Sequence, residues 1–209
     1  MYENLTQLDA SNYNDHHYLA PSDRCFYYGE YTARKGFDHS KTNQLILNLK
    51  ISVEHKNTPR YHHKNRAMEQ MASCLAKQGD PGAITFVPVP PSKCKSDPCY
   101  DNRLVRILEL FGTIRKGVDY RELVNQSTST RASHESEDHR LTPDELEDLY
   151  VIDQSLLSNL RPTIVIFDDM LTTGSHFVAM RNVIQKAVPN AMIAGLFIAR
   201  RVPDSEIFF

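Results

Sequence analysis

Two acids stand side by side at Asp168 and Asp169, directly after the apolar run Thr163–Phe167 in the stretch TIVIFDDMLTTGSHF. Leu171, Thr172, Thr173, Gly174 and Ser175 follow and lead into a helix-like pattern. The first N–H groups of a helix have no partner within it, and its dipole favours negative charge there. Gly174 lets the backbone come close to a ligand, and the hydroxyls of Thr172, Thr173 and Ser175 add donors. Together they form a candidate phosphate cradle. Two carboxylates beside it would repel a bare phosphate. They suit a ligand with a phosphate at one end and vicinal hydroxyls or a bound Mg²⁺ at the other, because carboxylates accept from ribose hydroxyls or from metal-held water. A ribose 5-phosphate group fits. Each charge-assisted bond to phosphate contributes about 1.5–3 kcal/mol. Association costs about 4–15 kcal/mol, so the cradle alone binds weakly and the acids matter.

The order of an apolar strand, two acids, two apolar residues and Thr-Thr-Gly-Ser resembles the phosphoribosyl-diphosphate motif of the type I phosphoribosyltransferases. The earlier stretch FVPVPPSKCKSDPCYDNRL stands where that family has its pyrophosphate loop. Its Val-Pro-Val-Pro strand end resembles the ComF-like competence-protein branch. The likeness spans roughly residues 80–200. It departs in two places. The four-cysteine zinc module of that branch is absent, since only Cys25 lies in the N-terminal part, and its Arg-Gly-Phe-Asn-Gln element is replaced by Cys99–Arg103, CYDNR.

The resemblance implies displacement of pyrophosphate from phosphoribosyl diphosphate by a nitrogenous base, with Mg²⁺. Asp168 and Asp169 would hold the ribose hydroxyls and favour the oxocarbenium-like transition state. The stretch from Leu171 to Ser175 would fix the 5-phosphate. Lys93, Lys95 and Arg103 would neutralise the pyrophosphate, and Arg131 would close over the site on a flap. Some relatives carry an Asp as general base where this chain has Thr172. Either no base is needed, or His134, Glu135 or His139 serves. Two other classes stay open: a sensor of a phosphoribosyl ligand, and an accessory or effector role in DNA uptake or anti-phage defence. The family also implies a homodimer.

These residues need elements to hold them. The chain has 209 residues, enough for one α/β domain. The apolar runs 83–90, 163–167 and 191–199 are continuous rather than alternating, as in strands covered on both faces. Helical spacing recurs over 65–80, 101–112 and 174–187. Thr142, Pro143 and Glu145 carry a helix-start signature. Strands alternating with helices predict a mostly parallel open sheet flanked by helices. Residues 1–60 are expected to form an N-terminal β-containing hood or arm, with 24–33 and 44–52 pairing as strands. Residues 61–209 form the expected core. The segment 125–141 has almost no apolar content and reads as a structureless flap.

The net charge of −2 gives no electrostatic reason for non-specific nucleic-acid binding. No apolar run is long enough to span a membrane. The first 21 residues lack the apolar core of a signal peptide, so the cytoplasm is the expected compartment.

Overall fold

The computed structural model describes residues 4–130 and 141–203. Its centre is a six-stranded sheet. The strands are β1 (Thr6–Gln7), β2 (Cys25–Thr32), β3 (Ile84–Pro88), β4 (Asp119–Tyr120), β7 (Thr163–Leu171) and β8 (Met192–Val202), in the spatial order β1-β2-β8-β7-β3-β4. Only β1 runs antiparallel; β2, β8, β7, β3 and β4 are parallel to their neighbours. The predicted parallel α/β sheet is therefore present. A separate antiparallel pair joins β5 (Val124–Gln126) to β6 (Tyr150–Ile152).

Helices α2 (Tyr61–Ala76) and α3 (Arg103–Ile114) pack against each other and cover one face of the sheet. Their buried stripes include Met68, Met71, Leu75, Ile107, Leu108 and Phe111. Phe111 meets Phe86 of β3 edge-on, with ring centres 5.7 Å apart. Helix α5 (Ser175–Ala187) lies on the other face, where Phe177 meets Phe197 of β8 at 6.3 Å. Helix α4 (Pro143–Leu149) packs on α5 and opens with the predicted box: Thr142 accepts from the Glu145 N–H while the Glu145 carboxylate accepts from the Thr142 N–H.

The N-terminal segment differs from expectation. Residues 24–33 do form a strand, but it enters the main sheet beside β8. Residues 44–52 are not its partner strand; they lie mostly in helix α1 (Lys41–Leu49). The apolar residues from Leu45 to Ile51 satisfy both a two-residue and a helical spacing. Ser40 decides between them, since its hydroxyl accepts from the Asn43 N–H and caps the helix start. The buried Asn43 side chain then accepts from the Thr32 N–H at 3.1 Å and donates to the carbonyls of Thr32 and Lys35, fixing the turn that joins β2 to α1.

The chain leaves β3 by α3 toward β4, and leaves β7 by α5 toward β8. These connections diverge to opposite sides and cover opposite faces. The gap between the carboxyl ends of β3 and β7 is thus the sheet's switch point, where open α/β sheets bind ligands.

Candidate functional site at the β3–β7 switch point

Strand β7 does not stop at Phe167 as expected; it continues to Leu171, so both acids lie within it. The extension is supported on one side only. Asp168 pairs with Phe197 and Leu171 with Arg200 of β8, whereas the last bond to the β3 side runs from the Val89 N–H to the Phe167 carbonyl. Pro90 and Pro91 carry no N–H to continue the ladder. The two strands part at this point, and a small cavity lined by Pro90, Pro91, Asn102, Arg103 and Asp168 opens between them.

Asp169 is 5% exposed and is held by Arg103 at the start of α3. Arg103 donates from Nε and Nη2 to Asp169 Oδ2 at 2.9 and 2.7 Å, and from Nη1 to Asp101 at 2.8 Å. Lys50 Nζ stands 3.9 Å from the other Asp169 oxygen. Behind them Lys64, fully buried, donates to Asp101 at 2.6 Å and to the Ile51 carbonyl at 2.8 Å. Burial works against ionisation of Asp169, but Arg103 and Lys50 outweigh it and hold its carboxyl below the usual range. Asp168 is half-buried and accepts the Asp169 N–H on Oδ1 at 2.7 Å. Burial, and then the Asp169 charge, push its carboxyl up to about 7. Two adjacent acids with opposed environments thus keep one charge fixed and one available for a cation or hydroxyl donor.

The turn after β7 has the cradle's shape. Gly174 adopts φ +89°, which favours glycine, and α5 begins at the next residue. Among the described residues, no acceptor takes the backbone N–H of Thr172, Thr173 or Gly174. The carbonyls on the turn's outer side are satisfied by the N-terminal arm. His16 Nδ1 donates to the Thr172 carbonyl, and the Tyr18 N–H donates to the Thr173 carbonyl at 3.1 Å. A carbonyl only accepts, so Nδ1 carries the His16 proton. Burial lowers the His16 pKa and outweighs the raising effect of that bond, which keeps the ring neutral. Leu19 closes against Gly174; a Cβ there would lie 2.8 Å from Leu19 Cγ.

Asp168, Asp169, Arg103 and the Thr172–Ser175 turn therefore share the switch point, with Leu171 buried at the end of β7. Lys93 and Lys95 line an adjoining cavity of about 290 Å³ with Tyr100 and Glu122, and Lys95 pairs with Glu122 at 3.2 Å. Its wall continues across Val89, Pro90 and Pro91 to the smaller cavity. Residues 125–130, expected to be structureless, are not. Asn125 and Gln126 lie in β5, and Gln126 donates to the Ser92 and Thr128 carbonyls while the Thr130 N–H donates to Ser92. Arg131, His134, Glu135 and His139 lie outside the described residues. His16, Lys50 and Lys64 went unread in the sequence, because their partners are distant along the chain, and so did Asp101, whose link to Lys64 spans 37 positions.

Comparison with models of known protein families finds no match, and comparison with curated protein sequences finds none either.

Proposed function

We propose that this protein binds phosphoribosyl diphosphate with Mg²⁺ and transfers the phosphoribosyl group to a nitrogenous base, releasing pyrophosphate, as type I phosphoribosyltransferases do. One observation carries the reading: successive N–H groups without a partner among the described residues stand beside one buried and one half-buried carboxylate at the sheet's switch point. The N–H groups of Thr172, Thr173 and Gly174 suit the 5-phosphate. Asp168 Oδ2 has no partner among the described residues and suits a ribose hydroxyl or metal-held water. The Asp168 carboxylate would hold a hydrated Mg²⁺ bound chiefly by the ligand's phosphates. The ion would neutralise diphosphate charge as that group leaves. Lys93 and Lys95, which line the adjoining cavity, would neutralise the diphosphate. Positive charge developing on the ribose ring would be stabilised by the two carboxylates.

The test is calorimetric titration of phosphoribosyl diphosphate with Mg²⁺ into wild type, Asp168→Asn and the Asp168→Asn/Asp169→Asn double variant. Binding in wild type that weakens at least tenfold in the single variant and vanishes in the double is the expected result. A wild type that does not bind would overturn the reading. Pyrophosphate release with a panel of bases then separates an enzyme from a sensor.

A further inference from the structure

A larger cavity, about 780 Å³, opens beside the same site on the α1 side of the sheet. Met170 and Thr172 of the β7 end form one wall, and Lys50, which approaches Asp169, joins the two spaces. Its lining is strongly one-signed. Arg34, Lys50, Arg60 and Arg201 all contribute, His55 and His63 add imidazoles, and no carboxylate among the described residues lines it. The chain as a whole is slightly acidic, so this concentration is local.

Among the described residues, two of these cations have no counter-charge. No described carboxylate pairs with Arg60 or Arg201; among the described residues the partner of Arg60 is His55, whose Nε2 accepts from its Nη1 at 3.4 Å. An imidazole acceptor brings no negative charge, so that bond leaves the Arg60 charge uncompensated. Arg200, the neighbour of Arg201 in β8, behaves in the opposite way. Its guanidinium is buried and satisfied by Glu30 and Asp15. Arg200 is thus paired within the fold, whereas Arg201 has no side-chain partner among the described residues. Aromatic surface is present as well. Phe37 is 41% exposed and lines the cavity with half-buried Tyr31.

We propose that this cavity takes a planar aromatic anion, a nitrogen-containing ring carrying a carboxylate or a phosphate, and that such a molecule is the acceptor for the adjoining site: its ring nitrogen forms the bond to ribose C1 while the C1–O bond breaks and the electron pair leaves with pyrophosphate. Guanidinium groups match both oxyanions bidentately, and they stack on flat rings. A wall of cations favours the charged form of such a ligand over its neutral counterpart. The acceptor role rests on the function proposed above; the anion preference does not.

The test uses two pairs of ribose-free probes: pyridine-2-carboxylate against pyridine-2-carboxamide, and phenyl phosphate against phenol. Each is titrated calorimetrically into wild type and into Arg60→Gln/Arg201→Gln. In at least one pair the anionic member should bind wild type at least tenfold tighter, and the double variant should abolish that difference. The pair that responds identifies the oxyanion. Equal binding of neutral and anionic members in both pairs, or a preference that survives in the variant, would overturn the proposal. If the double variant does not fold, Arg60→Gln alone, at an exposed position, replaces it and should reduce the preference at least threefold. Phosphoribosyl diphosphate with Mg²⁺ is titrated in parallel. If wild type ignores it, the acceptor role and the reading beneath it both fail, while the paired probes still decide the anion preference. If wild type and variant bind it equally, any lost preference is assigned to the cavity.

Discussion

At the scale of single residues, the informative contrast is between Asp168 and Asp169. They are adjacent in sequence, yet strand alternation sends them toward different surroundings. Asp169 meets Arg103, and no cation among the described residues stands at hydrogen-bond distance from Asp168. The consequence is readable in pH. The folded Asp168 carboxyl holds its proton up to about 7, while an unfolded carboxyl releases it near 4. Between those values the native state binds more protons than the unfolded state, so stability falls as pH rises through that window. Urea midpoints at pH 4.5 and 7.5 should drop more in wild type than in Asp168→Asn, whose amide does not titrate. Equal drops would mean that Asp168 ionises normally. Ligand binding has the opposite sign. A ribose hydroxyl or hydrated Mg²⁺ needs the ionised carboxylate, so the affinity for phosphoribosyl diphosphate should climb as pH rises through about 7, and Asp168→Asn should flatten that climb.

At the scale of elements, the cradle depends on a clasp between the turn after β7 and the arm around His16–Leu19. The turn was legible because its determinants are local: an apolar run, two acids, small hydroxyl residues and a glycine. The arm was not. His16 and Thr172 are far apart in the chain, and nothing in the polar N-terminal stretch marks His16 as a buried partner. Helix α1 was missed for another reason, namely that its apolar residues fit two periods and only the Ser40 cap separates them. The clasp makes a specific demand on Gly174. Alanine there must adopt φ near +89° and place its Cβ 2.8 Å from Leu19 Cγ. The backbone strain costs about 1–3 kcal/mol. Gly174→Ala should lose that much stability in urea melts and weaken phosphoribosyl diphosphate binding at least tenfold. Adding Leu19→Ala removes the collision but not the strained φ, so the double variant should stay destabilised. Full recovery would mean that packing alone fixes the glycine. His16→Ala should cost about 1–3 kcal/mol, because the Thr172 carbonyl loses its donor.

At the scale of the molecule, the site is the end of a charge chain that crosses the fold. Lys64 of α2, Asp101, Arg103 of α3, Asp169 of β7 and Lys50 after α1 alternate in sign and tie three helices to the central strand. Asp101 is the link on which the chain turns, since one of its oxygens receives both Lys64 and Arg103. Removing it leaves the fully buried Lys64 ammonium, among the described residues, with the Ile51 carbonyl as its hydrogen-bond acceptor and the Tyr61 ring at 5.8 Å, and burial already lowers the Lys64 pKa. Breaking a buried pair from one side costs about 3–5 kcal/mol, whereas replacing a buried ion by an apolar group of similar shape costs far less. Asp101→Ala should therefore lose about 3–5 kcal/mol in urea melts. Lys64→Met in that background should restore a large part of the loss, because it removes the orphaned charge. The Asp101→Ala/Lys64→Met chain separates folding from function. Arg103 would remain on Asp169 but without its second anchor, so stability should recover more fully than affinity for phosphoribosyl diphosphate. If both recover together, Asp101 serves only to neutralise Lys64; if affinity alone stays depressed, the charge chain positions Arg103 for the site.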